Sequence, residues 1–151
     1  MENINIRPIK ETDIPVIAEF EKEICIISFG DTAVTDLDVH QKKLLKSHKK
    51  NPEGMFVLTV HEKVAGWLWM DEKINFLTNE KYINFRSFYI EKNFQGSELS
   101  VKLMEFAMEF CKSVQANMVV GKVYIDNISM RALYKKFGFK PTHLTMEYKF
   151  D

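Results

Sequence analysis

Tyr82-Ile83-Asn84-Phe85-Arg86-Ser87-Phe88-Tyr89-Ile90-Glu91-Lys92-Asn93-Phe94-Gln95-Gly96-Ser97-Glu98-Leu99-Ser100-Val101 changes its periodicity partway along. Up to Ile90 it is rich in aromatic and aliphatic residues that split by period two. Ile83, Phe85, Ser87 and Tyr89 fall on one side, and Tyr82, Asn84, Arg86, Phe88 and Ile90 on the other, which predicts a long strand with the polar pair Asn84 and Arg86 on one face. From Ser97 the period becomes 3.6. Leu99, Leu103, Phe106, Ala107, Phe110, Cys111 and Val114 form an apolar stripe opposed by Glu98, Lys102, Glu105, Glu109 and Lys112, the pattern of a central amphipathic helix. The junction at 94–100 sets consecutive backbone N–H groups at a helix N-terminus, where an anion is held without lysine or arginine, and Ser97 and Ser100 add hydroxyl donors.

Working outward, residues 3–7 alternate polar and apolar before Pro8, predicting a short first strand. Thr12 or Asp13 caps a helix whose apolar residues Ile14, Ile17, Phe20, Ile24 and Ile27 recur at helical spacing, ending near Ser28 and Gly30. Asp36 opens a second, more polar helix to Lys50, with Leu37, Leu44 and Leu45 as its buried contribution. Residues 56–60 and 64–70 read as a hairpin about His61-Glu62-Lys63. Trp67 and Trp69 point to one face of its second strand. Beyond the central helix, 118–125 reads as a buried-type strand, Asp126 or Asn127 caps a short helix ending at Gly138, and 139–150 is extended with a break at Pro141. The order is β-α-α-β-β-β-α-β-α-β-β: a single α/β domain over 1–151, a mixed sheet sandwiched between helices in three layers.

The bulk properties exclude several classes. A chain of 151 residues, 46% hydrophobic, buries a full core without metals or bridges. Twenty-one basic residues balance 21 acidic ones, so no global field calls for nucleic acid or an anionic membrane. Residues 1–38 hold nine acids against three bases, and Lys42, Lys43, Lys46, Lys49 and Lys50 then reverse the sign as a solvated helix face. Cys25 and Cys111 sit in apolar helical patterns as core filler. With no metal-ligand spacing, leader or membrane-length apolar run, the expectation is a reduced, cytoplasmic protein without a metal.

A second segment gives the junction a chemistry: Asp126-Asn127-Ile128-Ser129-Met130-Arg131-Ala132-Leu133-Tyr134-Lys135-Lys136-Phe137-Gly138-Phe139. It resembles the GNAT superfamily of N-acetyltransferases, in which an Asn opens a helix ending in Leu-Tyr-x-Lys-x-Gly-Phe. Asn127, Leu133, Tyr134, Lys136, Gly138 and Phe139 match that run. Phe88-Tyr89-Ile90 and Gln95 fall in register with the same family's acetyl-CoA loop, and the order of elements agrees over nearly the whole chain. The resemblance implies transfer of an acetyl group from acetyl-CoA to a primary amine, with no metal. Backbone N–H groups of Gln95, Gly96, Glu98, Ser100 and Val101 would hold the pyrophosphate, beside Ser97. Main-chain groups of Phe88 and Ile90 would meet the pantetheine arm and the thioester carbonyl. Asn127 would bond the pantetheine, and Tyr134 would be the general acid for the departing thiolate.

The sequence departs from the family at two places. Glu98 and Ser100 stand where the loop usually has Gly and then Gly or Ala, and a carboxylate near a pyrophosphate repels it. Asn84 stands where the family often carries a Glu base, so the base is unassigned among Glu23, Asp71 and Glu72. Trp69, Asn84 and Arg86 are the candidate acceptor contacts. The acceptor is a small-molecule or protein amine, and an edge strand exposing aromatic residues would make a homodimer. The rival reading is a non-catalytic CoA-binding or regulatory module of the same fold.

Overall fold

His61 and Glu62 both adopt positive φ, 49° and 68°, and Val60 pairs with Lys63, so the hairpin closes on a two-residue turn matched to the twist of its strands. The structure, a computed structural model, describes residues 3–95 and 98–151. The hairpin joins β2 (Met55–Val60) to β3 (Lys63–Asn75), which pairs antiparallel with β4 (Glu80–Ile90). β1 (Ile4–Pro8) lies antiparallel on β2, and β5 (Met118–Gly121) lies parallel to β4. The result is one mixed sheet in the order β1-β2-β3-β4-β5.

α1 (Ile14–Phe29) and α2 (Leu37–Lys50) cover one face, and α3 (Leu99–Ser113) and α4 (Ile128–Lys136) the other. Ile17, Phe20, Leu44, Val57, Trp67, Trp69 and Tyr89 form the first core, while Leu58, Leu68, Ile83, Phe85, Leu103, Met104 and Ala107 belong to the second. Each fully buried large aliphatic side chain contributes about 1.5–3 kcal/mol relative to exposure. Cys111 is buried on α3, where burial pushes its thiol up to about 11; Cys25 is only half-buried. Both are free thiols.

Helix boundaries follow the sequence signals closely. Gly30 takes φ 58° at the end of α1, and Asp36 caps α2 by accepting from the Asp38 N–H at 2.9 Å. Asp13 precedes α1, but its carboxylate is spent elsewhere. It accepts from both guanidinium nitrogens of Arg7, at 2.8 and 3.0 Å, and from the Lys10 N–H at 2.7 Å, tying β1 to the start of α1. Burial alone would raise its pKa, but these donors outweigh it and hold the carboxyl below its ordinary value. Its stabilisation is therefore complete above the usual carboxylate range and lost as pH falls through the depressed value. Asp13→Asn is expected to cost about 1–3 kcal/mol near neutral pH and to flatten the acid limb of the stability profile, as measured by urea unfolding across pH.

The structure differs from the sequence reading at four places. β3 runs on to Asn75, so Asp71 and Glu72 lie within the strand and not at its end. The period-two split of β4 breaks at Arg86. Trp69 faces Ser87 and Met70 faces Phe85, leaving Arg86 as the extra residue of a bulge. The bulge moves Ile83 and Phe85 to the α3/α4 core, and Ser87 and Tyr89 to the α1/α2 side, so these four do not share a face. The strand expected over 118–125 stops at Gly121, because β4 and the chain beyond Gly121 no longer pair. Residues 140–151 form no strand; all are exposed, and the two closing strands of the expected order are not made.

Candidate active site

β4 and β5 pair only from Tyr82↔Met118 to Phe85↔Gly121. Beyond that point β4 continues for five residues without β5, so the sheet opens. The direction of its backbone in the opening follows from one hydrogen bond: the Glu91 N–H donates to the Ala65 carbonyl on β3 at 2.8 Å. Period two then turns the main chains of Ser87 and Tyr89 toward β3, and those of Phe88 and Ile90 toward the open side. These are the two residues expected to meet the thioester arm. The Ile90 carbonyl already accepts from the Gln95 side chain at 2.8 Å, which fixes the turn after β4.

Tyr134 comes into this opening from α4. Asn127 caps that helix as read from the sequence, its Oδ1 accepting from the Met130 N–H and the Ser129 hydroxyl, both at 3.2 Å. That leaves its amide nitrogen to donate to a ligand. Nearly two turns later, Tyr134 is 9% exposed, with its ring stacked on Phe85 at 6.5 Å and against Phe139 at 4.8 Å. Its hydroxyl ends against Gly121, the last paired residue of β5. A Cβ there would overlap the Tyr134 oxygen and come within 2.5 Å of Cζ. The glycine is what lets the phenol reach the point where the sheet parts. Burial pushes the hydroxyl up to about 12, so it is a proton donor throughout the neutral range.

The turn leading to α3 is built from a short 3-10 segment, Lys92–Phe94, whose N-cap Glu91 accepts from the Asn93 N–H at 3.1 Å. The Gln95 N–H donates to the Lys92 carbonyl at 3.2 Å. The pyrophosphate role assigned to that N–H therefore does not fit this conformation, because the turn itself uses the donor. Gly96 and Ser97 lie outside the described residues. Glu98 is the exposed residue preceding α3, and its side chain makes no capping bond; Ser100 and Val101 follow, half-buried, in the first turn. Ser100 and Val101 stand in the first helical turn, where backbone N–H groups have no acceptor within the helix, the donor geometry an anion requires.

On the α1/α2 side the bulged Arg86 lies over Trp69, its Cζ 3.6 Å from the ring centroid, with Asp71 at 3.5 Å. Trp69 is only 2% exposed, so the guanidinium and not the indole is what this surface presents to solvent. Asn84 is half-buried two residues before Arg86. Of the acids considered as bases, Asp71 pairs with Arg86, Glu72 with Lys81 at 2.9 Å, and Glu23 approaches Lys92 at 3.9 Å.

The acid that sequence reasoning missed is Glu21. It is buried on α1 and its Oε2 accepts from the Ser87 hydroxyl at 2.6 Å and from the Trp67 indole N–H at 3.2 Å. Ser87 directly follows the bulge. The signal was present in the helix pattern, since Glu21 stands four residues after Ile17 and three before Ile24, on the stripe that faces the core. A separate hollow of about 290 Å³ between α1 and α2, lined by Glu11, Ile14, Asp38 and Lys42 among others, shares no residue with the opening between β4 and β5.

Comparison with known proteins agrees with this architecture. The family model described as acetyltransferase (GNAT) family matches residues 17–139. A structure from Clostridium difficile 630, described as a possible acetyltransferase, superposes with a TM-score of 0.79 at 20% identity, covering 98% of each chain. Glucosamine-6-phosphate N-acetyltransferase from Arabidopsis thaliana gives 0.68 at 20% identity, covering 99% of this chain and 100% of that one. An aminoglycoside N-acetyltransferase, AAC(6')-Iy, in complex with CoA gives 0.77 at 10% identity, covering 99% and 95%. No curated protein sequence matches. At these identities the structural neighbours establish the fold, and the family model covers most of the chain, from the first helix through Tyr134 to Phe139: this chain belongs to the acetyltransferase (GNAT) family.

Proposed function

We propose that the protein is an N-acetyltransferase that moves an acetyl group from acetyl-CoA directly to a primary amine. The observation that carries this reading is the Tyr134 hydroxyl, buried, protonated and set by Gly121 at the point where β4 and β5 separate. The residues present fit the co-substrate. The open main chain of Phe88 and Ile90 lines one side, the amide nitrogen of Asn127 lies at the start of α4, and the first turn of α3 supplies anion donors. Gly96 and Ser97 belong to this proposed site as the residues joining the two halves of the loop.

In the reaction, the main-chain N–H of Phe88 or Ile90 holds the thioester oxygen as it gains negative charge. Tyr134 gives its proton to the sulfur as the carbon–sulfur bond breaks. Glu21 receives the proton lost by the amine, through the Ser87 hydroxyl or a water. It suits that role better than Asp71, Glu72 or Glu23, because neutral donors face it where cations face those three. Arg86 and Asn84 meet the acceptor, and Trp69 supports Arg86 from below.

The experiment is a panel of primary amines with acetyl-CoA, read as free CoA release, beside a titration of acetyl-CoA alone. Saturable binding with amine-dependent release is expected. Glu21→Gln is expected to retain binding and lose turnover by about 10²-fold or more. The second reading, a non-catalytic CoA-binding module, is favoured by one feature, the exposed carboxylate of Glu98 at the start of α3. Binding without release for any amine would support it.

A further inference from the structure

Two cations stand over one indole. The Arg86 guanidinium carbon lies 3.6 Å from the Trp69 ring centroid, and the Lys43 ammonium, reaching across from α2, lies 5.9 Å from the same centroid. Their charges are therefore within the roughly 10 Å over which ions still feel one another at 0.1 M salt. Both residues are exposed, and among the described residues Lys43 has no ion pair. Asp71 approaches Arg86 from the Nε side at 3.5 Å, and the two terminal nitrogens of the guanidinium have no hydrogen-bond partner among the described residues. Those terminal nitrogens are the pair that grips a carboxylate or a phosphate with two parallel bonds.

The acid assigned to proton removal lies one residue further along β4. Ser87, next to Arg86 at the bulge, donates to Glu21 at 2.6 Å, and Glu21 also accepts from the Trp67 indole, whose ring centroid is 5.7 Å from that of Trp69. The Cys25 thiol, one turn after Glu21 on α1, feels both ends of this surface. Burial raises it first, Glu21 raises it further and Lys43 opposes them. A buried acid and two exposed cations thus share one face of the sheet, on adjacent residues of β4 and the helices packed over them.

We propose that the acceptor is a small primary amine that also carries an acidic group, a carboxylate or a phosphate, held by Arg86 and Lys43 over Trp69 while its amine turns to Glu21. The inference rests on the acetyl transfer proposed above and names the class of molecule that receives the group. Arg86 and Ser87 are consecutive, so the anion and the amine are taken up on neighbouring residues, a span suited to one small amphoteric molecule. The same pair excludes as well as attracts: a diamine or polyamine brings a second cation against Arg86 and Lys43, with Asp71 alone to offset it. Of the five lysines between 42 and 50, only Lys43 is placed over a ring among the described residues, which separates it from the solvated face formed by the rest.

The test measures free CoA release with matched amines that differ in the acidic group: glycine against glycinamide, phenylalanine against phenylalaninamide, and O-phosphoethanolamine against ethanolamine, with putrescine as the cationic extreme. The acid-bearing member of at least one pair is expected to show a kcat/KM about tenfold or more above its neutral partner and above putrescine. Which pair separates tells carboxylate from phosphate. For that amine, Arg86→Gln and Lys43→Gln should each raise KM about tenfold while the KM for acetyl-CoA stays within twofold. Lys43→Glu, a change on an exposed helical surface, should move the preference toward putrescine. Neutral amines or putrescine used as well as the acid-bearing ones would overturn this inference and leave the transfer reaction standing. A KM for the acid-bearing amine unmoved by both Lys43 variants would overturn it too, as would substitutions at 43 and 86 that act on acetyl-CoA instead. Release with no amine at all would overturn the transfer and the acceptor class together.

Discussion

Tyr134→Phe lowers turnover about 10²–10⁴-fold while leaving acetyl-CoA affinity nearly unchanged. The expectation follows from where the ring and the hydroxyl lie. The ring packs between Phe85 and Phe139, and phenylalanine keeps that packing. Only the proton donor is removed, and its role arises as charge develops on sulfur and not while the thioester is bound. Burial lifts the Tyr134 pKa from 10.0 to about 12, so the wild type holds its acid through the neutral range, and Tyr134 itself imposes no alkaline limb on kcat until near the upper value. The same shift has a sign for stability. A raised folded-state value means the neutral phenol's contribution is whole below about pH 10 and lost as pH rises toward 12, so wild type and variant converge or cross there. Steady-state kinetics with an acetyl-CoA titration check the first part; unchanged turnover in the variant would remove Tyr134 from the reaction.

Gly121→Ala is expected to disable the site without substituting a titratable residue. A methyl at 121 occupies the volume of the Tyr134 hydroxyl, so the phenol must swing out of its place between Phe85 and Phe139. Overpacking of this kind costs about 1–3 kcal/mol, and turnover should fall to the level of Tyr134→Phe, since the hydroxyl no longer meets the opening. A double-mutant cycle separates this from general damage. With Tyr134→Ala the ring is gone and the added methyl fills vacated space, so Gly121→Ala should then cost little. Thermal or urea unfolding of the four proteins measures the coupling, and additive effects would contradict it.

Local signals in the sequence mapped onto local structure. Gly30, Asp36, Asn127 and Gly138 each bound a helix where their chemistry places them, and His61-Glu62 turns the hairpin. The departures all depend on a partner that one segment cannot reveal. The bulge at Arg86 is a count of two residues against one across β3 and β4, and it reassigns the faces of Ser87 and Tyr89. Val123 and Tyr124 favour strand as residues, yet no strand forms because β4 has already parted from β5. The tail carries a strand's alternation without a strand beside it. At the site, Asn127 and Tyr134 were legible because their spacing on one helix is local, and their meeting with Gly121 was not. Glu21 reads in the sequence as one more acid in an acidic region, although its position on the buried stripe of α1 marks it out.

The central claim is that the opening between β4 and β5 holds acetyl-CoA with Tyr134 at the sulfur. A crystal structure of the acetyl-CoA complex tests it most directly. The account predicts the sulfur within about 3–3.5 Å of the Tyr134 hydroxyl, the thioester oxygen on a main-chain N–H of Phe88 or Ile90, and the pyrophosphate at the first turn of α3. Acetyl-CoA bound away from the opening, or bound there with the Tyr134 hydroxyl turned from the sulfur, would contradict it.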